Sequence, residues 1–72
     1  MSDRNMKVIS PEPQVTEAVP GIHRIEVDGA TVGYVLEAGS VFVSLAGSVY
    51  NTSYEVGQSL DLRTAIHRVT DA

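Results

Sequence analysis

Ile22-His23-Arg24-Ile25-Glu26-Val27-Asp28-Gly29-Ala30-Thr31-Val32-Gly33-Tyr34-Val35-Leu36 is the stretch that decides the fold. Two runs rich in β-forming residues flank Asp28-Gly29, a pair suited to a type I′ turn, in which both central residues need positive φ. The stretch reads as a hairpin with strands over 22–27 and 30–36. Ala38-Gly39 offers the next turn. Ser40 to Leu45, with Val41, Phe42 and Val43 at its centre, reads as a third strand. After another turn at Ala46-Gly47-Ser48, Tyr50, Thr52, Tyr54 and Val56 alternate with Val49, Asn51, Ser53 and Glu55. That alternation suits a fourth strand over 49–56 at the sheet edge, although Asn51-Thr52-Ser53 could equally be a turn that breaks it.

The C-terminal segment has a different period. Leu62, Ala65, Ile66 and Val69 recur at helical spacing, and Arg63, Thr64, His67, Arg68 and Thr70 fall largely on the other side. Asp61 is a natural N-cap, because its carboxylate can accept from the orphan amides of the first turn. Leu60, just before the cap, stands where it can pack back on the helix. So short a helix is not stable alone and must lie on the sheet. The expected fold is α+β: a small antiparallel three- to four-stranded β-meander with one C-terminal helix packed on it, in the order β-β-β-(β)-α.

Residues 1–20 read as a flexible N-terminal arm, and residues 21–72 as one domain. Pro11, Pro13 and Pro20 bias the arm toward extended backbone, since each also restricts the residue before it. Its apolar residues Val8, Ile9, Val15 and Val19 leave open an added edge strand. The arm has no apolar run of signal-peptide length, and no segment approaches the length of a spanning helix, which points to the cytoplasm.

Alternation sorts the strand residues into faces. His23, Ile25 and Val27 share one side of the first strand, with Ile22, Arg24 and Glu26 opposite. The second strand separates Val32, Tyr34 and Leu36 from Thr31, Gly33 and Val35. The third separates Val41, Val43 and Leu45 from Phe42, Ser44 and Ala46. A half-buried sheet alternates more cleanly than this. Either both faces are partly covered, or one of them is a binding surface.

Composition narrows the function. The chain has 72 residues, no cysteine and a formal net charge of −4. A domain this small is marginal alone, and dimerisation or docking on a partner is a common way to gain buried area. Within the folded part Arg24, Arg63 and Arg68 face Glu26, Asp28, Glu37, Glu55, Asp61 and Asp71. That balance is a poor start for neutralising phosphates and fits solubility, or a basic protein partner, better.

No residue pattern points to catalysis. His23 and His67 have no second His, Cys or close carboxylate at ligand spacing, so neither a metal nor another cofactor is expected. Glu26 and Asp28 read as solvated charges near the turn, and Glu37 and Glu55 as charges that discourage edge pairing. The serines lack a nucleophile-elbow setting, and the glycines are spread through turns without forming a phosphate cradle.

The meander followed by Gly57, Asp61 and Ala65 resembles the small DNA-binding modules of the AP2 and integrase arm-binding type. The resemblance spans residues 21–70 and rests on Asp28-Gly29, Val32-Gly33-Tyr34 and the Gly57…Asp61…Ala65 run. It implies the β-β-β-α architecture and DNA read by basic and aromatic side chains on the sheet. The strands here hold Arg24 but no lysine or tryptophan, which departs from that pattern.

The reading expected from the sequence is a non-catalytic small protein-interaction module, of a style found in phage or bacterial accessory proteins. It would bind a partner protein or itself through the sheet face or the edge strand. Arg24 and Glu26 are the candidate polar contacts, and Phe42, Tyr50 and Tyr54 the candidate apolar anchors. The alternative is a sheet-face DNA-binding module using Arg24, Arg63 and Arg68.

Overall fold

The computed structural model describes residues 12–72. Strands β1 (Gln14–Val19), β2 (Ile22–Val27), β3 (Ala30–Ala38), β4 (Val41–Ala46) and β5 (Tyr54–Ser59) form one antiparallel sheet in chain order, and helix α1 (Leu62–Thr70) lies across it. The meander with its terminal helix is the expected α+β architecture, with five strands rather than three to four. Asp28 and Gly29 take φ values of +55° and +80°, so both turn residues occupy the left-handed region that Asp-Gly tolerates.

The additional strand, β1, falls within the segment read as a flexible arm. The rest of that reading, residues 1–11, lies outside the described residues. β1 pairs with β2 from Gln14↔Glu26 to Val19↔Ile22, with Ala18 bulged, and all six of its residues are exposed. Composition gave little sign of it because the backbone ladder, rather than apolar burial, attaches it. Pro13 and Pro20 bound it where no ladder donor is needed, and Gly21 at φ +87° completes the turn into β2.

The expected strand over 49–56 resolves into the turn that was its alternative. Tyr50–Thr52 form a 3₁₀ turn, and regular pairing begins at Tyr54. Thr52 Oγ1 donates to Val49 O at 3.3 Å and Ser53 Oγ to Tyr50 O at 2.6 Å. Short hydroxyl side chains that bond local carbonyls compete with strand pairing in this way.

The helix sits on the side of the sheet with small residues. Ile25, Val35, Ala65 and Val69 are buried there, with Val32, Phe42, Leu62 and Ile66 packed around them. Gly33, Ser44 and Gly57 form a shallow trough beneath α1. A Cβ on Gly33 would lie 2.5 Å from Val69 Cγ1, and one on Gly57 would lie 2.7 Å from Arg68 Cδ. Ser44, fully buried, donates its hydroxyl to the Ala65 carbonyl oxygen at 2.8 Å. Small side chains thus let the helix backbone come within hydrogen-bonding reach of the sheet.

Asp61 caps α1 as expected. Its carboxylate accepts from Thr64 N at 2.8 Å and from Thr64 Oγ1 at 3.1 Å. The backbone amide bond, followed by the hydroxyl bond, holds the carboxyl below its ordinary value of 3.8. Leu60 does not pack back on the helix: it is 80% exposed.

Candidate functional site

With α1 on one side over Ile25, Val35 and Phe42, pairing places a second set of bulky apolar side chains from the central strands on the other. Directly opposed residues in an antiparallel sheet share a face. Val19, Ile22, Leu36, Val43 and Gln58 therefore form one row across the side away from the helix. Thr16, Arg24, Tyr34, Leu45 and Glu55 form the next row, and Ala38 and Val41 flank the first. Bulges keep the two faces separate. Val32, opposite the Ile25/Glu26 register shift, turns into the core, and Val56, opposite the Ser44/Leu45 shift, is half-buried and borders a recess beside Arg68 of α1.

No described element lies over this second face. Ile22, Tyr34, Leu36, Val41, Val43 and Leu45 are each half-buried, by one another and by the sheet. The 3₁₀ turn adds Tyr50, whose ring meets Tyr34 edge-to-face at 5.4 Å with the planes 83° apart. Tyr34 Oη donates to Ser48 O at 3.1 Å, which fixes the ring beside the turn. Charges sit at the margins of the face. Arg24 Nε donates to Glu26 Oε2 at 3.1 Å on the β2 side, and Gln58 Nε2 donates to Glu55 Oε2 at 3.1 Å on the β5 side.

The residues singled out from the sequence divide between the faces. Arg24 and Glu26 belong to the open face, and Tyr50 reaches it through Tyr34. Phe42 lies on the helix side and packs against the core. Tyr54 is 65% exposed at the start of β5, opposite Ala46, a helix-side position. The residues that sequence reasoning left out of its site are Leu36, Val43, Leu45, Ile22 and Tyr34. Alternation had grouped most of them on one face, but it carried no signal for which face the helix would take. The three described arginines are not gathered on one surface: Arg24 is on the open face, and Arg63 and Arg68 are on α1.

A second cluster stands on the helix side at the β1–β2–β3 end. His23 Nε2 and Glu37 Oε2 share a hydrogen bond of 2.6 Å, and Glu17 Oε2 accepts from Gly21 N at 3.0 Å. One ligand atom from each of Glu17, His23 and Glu37 lies within 4.8 Å of the others. An imidazole and two carboxylates are a donor set that can hold a divalent ion. Sequence spacing missed the grouping because the three residues meet only through strand pairing. The two hydrogen bonds tie β2 to β3 through His23 and Glu37 and close the β1–β2 turn through Glu17, with the His23 side chain 12% exposed. A groove of about 400 Å³ runs between β1 and α1, lined by Pro13, Val15, Arg63, Ile66 and His67 among others.

Compared with known protein families, curated proteins and solved structures, the chain matches none. No helix among the described residues is long and apolar enough to cross a membrane.

Proposed function

We propose that this chain is a non-catalytic, cytoplasmic protein-interaction module that binds through the sheet face opposite α1. The observation that carries the reading is the row of Ile22, Leu36 and Val43, with Tyr34, Val41 and Leu45 around it, on a face no described element covers. Contiguous apolar surface of this kind, rimmed by polar groups, is characteristic of docking sites. Its make-up follows the usual plan of an interface, with aliphatic and tyrosine side chains at the centre and Arg24, Glu26, Glu55 and Gln58 around them. The central side chains belong to β3 and β4, the middle strands of the sheet, so they are held with little freedom to lose on binding.

Leu36→Asp tests this reading. The side chain is at the centre of the open face and outside the helix-side core, so the variant is expected to fold, with a stability change within about 1 kcal/mol. Association measured by chemical cross-linking and by co-purification should fall by at least about tenfold, as when a charge is placed in a desolvated interface centre. A folded Leu36→Asp protein that kept every association of the wild type would contradict the reading.

A further inference from the structure

We infer that the open face is completed by a second copy of this chain, packed face to face about a two-fold axis that runs along the strands between β3 and β4. The inference rests on the docking role proposed for this face and adds its occupant and geometry. It follows from how the face pairs with itself. A two-fold axis along the strands lays β2 on β5 of the second copy and β3 on β4, with each row facing the same row. Leu36 then meets Val43, and Tyr34 meets Leu45, so the apolar centre is matched twice by symmetry.

The same operation brings Arg24, at the β2 margin, to Glu55, at the β5 margin, once on each side of the centre. Both belong to the row Arg24–Tyr34–Leu45–Glu55. Arg24 spends its Nε proton on Glu26, and the rest of its guanidinium fork remains to reach a second carboxylate. Glu55 meets only the neutral Gln58 amide among the described side chains. A two-fold axis across the strands works less well. It lays β2 on β2 and β5 on β5, gathering two Arg24–Glu26 pairs at one margin and both Glu55 side chains, with no described cation beside them, at the other. The unpaired carboxylates at the β5 margin therefore favour the first axis, which gives each Glu55 an Arg24 of the other copy. Two such sheets pack aligned, with the twist of each setting an angle of about 30° between them.

Sedimentation equilibrium on the full chain, over a concentration series at low salt, tests the inference with a charge swap. The wild type is expected to dimerise. Arg24→Glu and Glu55→Arg should each weaken the dimer by about tenfold or more, because like charges then face each other across the interface at two places. The double variant Arg24→Glu/Glu55→Arg should recover to within about threefold of the wild type, since the pair is restored with its sign reversed. A double variant as weak as the singles overturns the pairing and the axis. A wild type that stays monomeric up to about 1 mM overturns the second copy as occupant and leaves the docking role to the Leu36→Asp test. A dimer unaffected by Leu36→Asp, Arg24→Glu and Glu55→Arg alike places the self-contact elsewhere and overturns the second copy as the occupant of this face.

Discussion

Replacing Gly33 by alanine is expected to remove about 3 kcal/mol of stability, the upper end of what overpacking costs and a large share of what a chain of this length can hold. The added methyl would fall inside the contact distance of the Leu45 carbonyl oxygen and 2.5 Å from Val69 Cγ1. The first neighbour is backbone of the adjacent strand and cannot rotate away. The second belongs to the last turn of α1, where Val69 is buried. Either β3 separates from β4 or the helix lifts off the sheet, and both expose the cluster of Ile25, Val35, Ala65 and Val69. Urea unfolding followed by circular dichroism checks it. A midpoint close to that of the wild type would show that the helix does not rest on the sheet at Gly33.

Ile25→Ala is expected to cost about 2–5 kcal/mol, the range for removing most of a large aliphatic side chain from a closed core. Ile25 is fully buried, and its cross-strand partners are Val15 and Gly33. Gly33 has no side chain to move into the space, and the sheet backbone limits relaxation from below. The cavity should persist. Measured beside it, Leu36→Asp in dilute protein should stay near the wild-type midpoint, although Leu36 is as apolar as Ile25. The pair of measurements reports which face of the sheet is the core. Equal losses at both positions would mean that both faces are closed.

The elements were legible where local chemistry acts alone. Asp28-Gly29 demanded a hairpin, and Asp61 with Leu62, Ala65, Ile66 and Val69 demanded a capped helix of nearly the observed length. β1 was barely legible, because a six-residue edge strand with every side chain exposed is attached by backbone hydrogen bonds, to which side-chain patterns are blind. The open face was half legible. Alternation placed Tyr34 and Leu36 together and Val41, Val43 and Leu45 together, and it showed too much apolar residue for one buried side. It left open which of the two faces the helix would cover. The structure places the helix on the face where Gly33, Ser44 and Gly57 let it approach closely and Ser44 bonds the Ala65 carbonyl. Close approach and a buried hydrogen bond are properties of two packed backbones, so single-residue hydrophobicity could not rank them. Phe42 illustrates the consequence, since a bulky aromatic chosen as a surface anchor serves the core instead.

The most direct test of the open face is the broadening of methyl NMR signals by a soluble paramagnetic agent, measured in a dilution series. In dilute protein the methyls of Leu36, Val43 and Leu45 should broaden strongly, while those of Ile25, Val35 and Val69 stay sharp. Raising the protein concentration should progressively protect the first group as copies associate. Strong protection of Leu36, Val43 and Leu45 at dilutions where the protein sediments as a monomer would mean that the chain covers this face by itself, and the account of it as a docking surface would be contradicted.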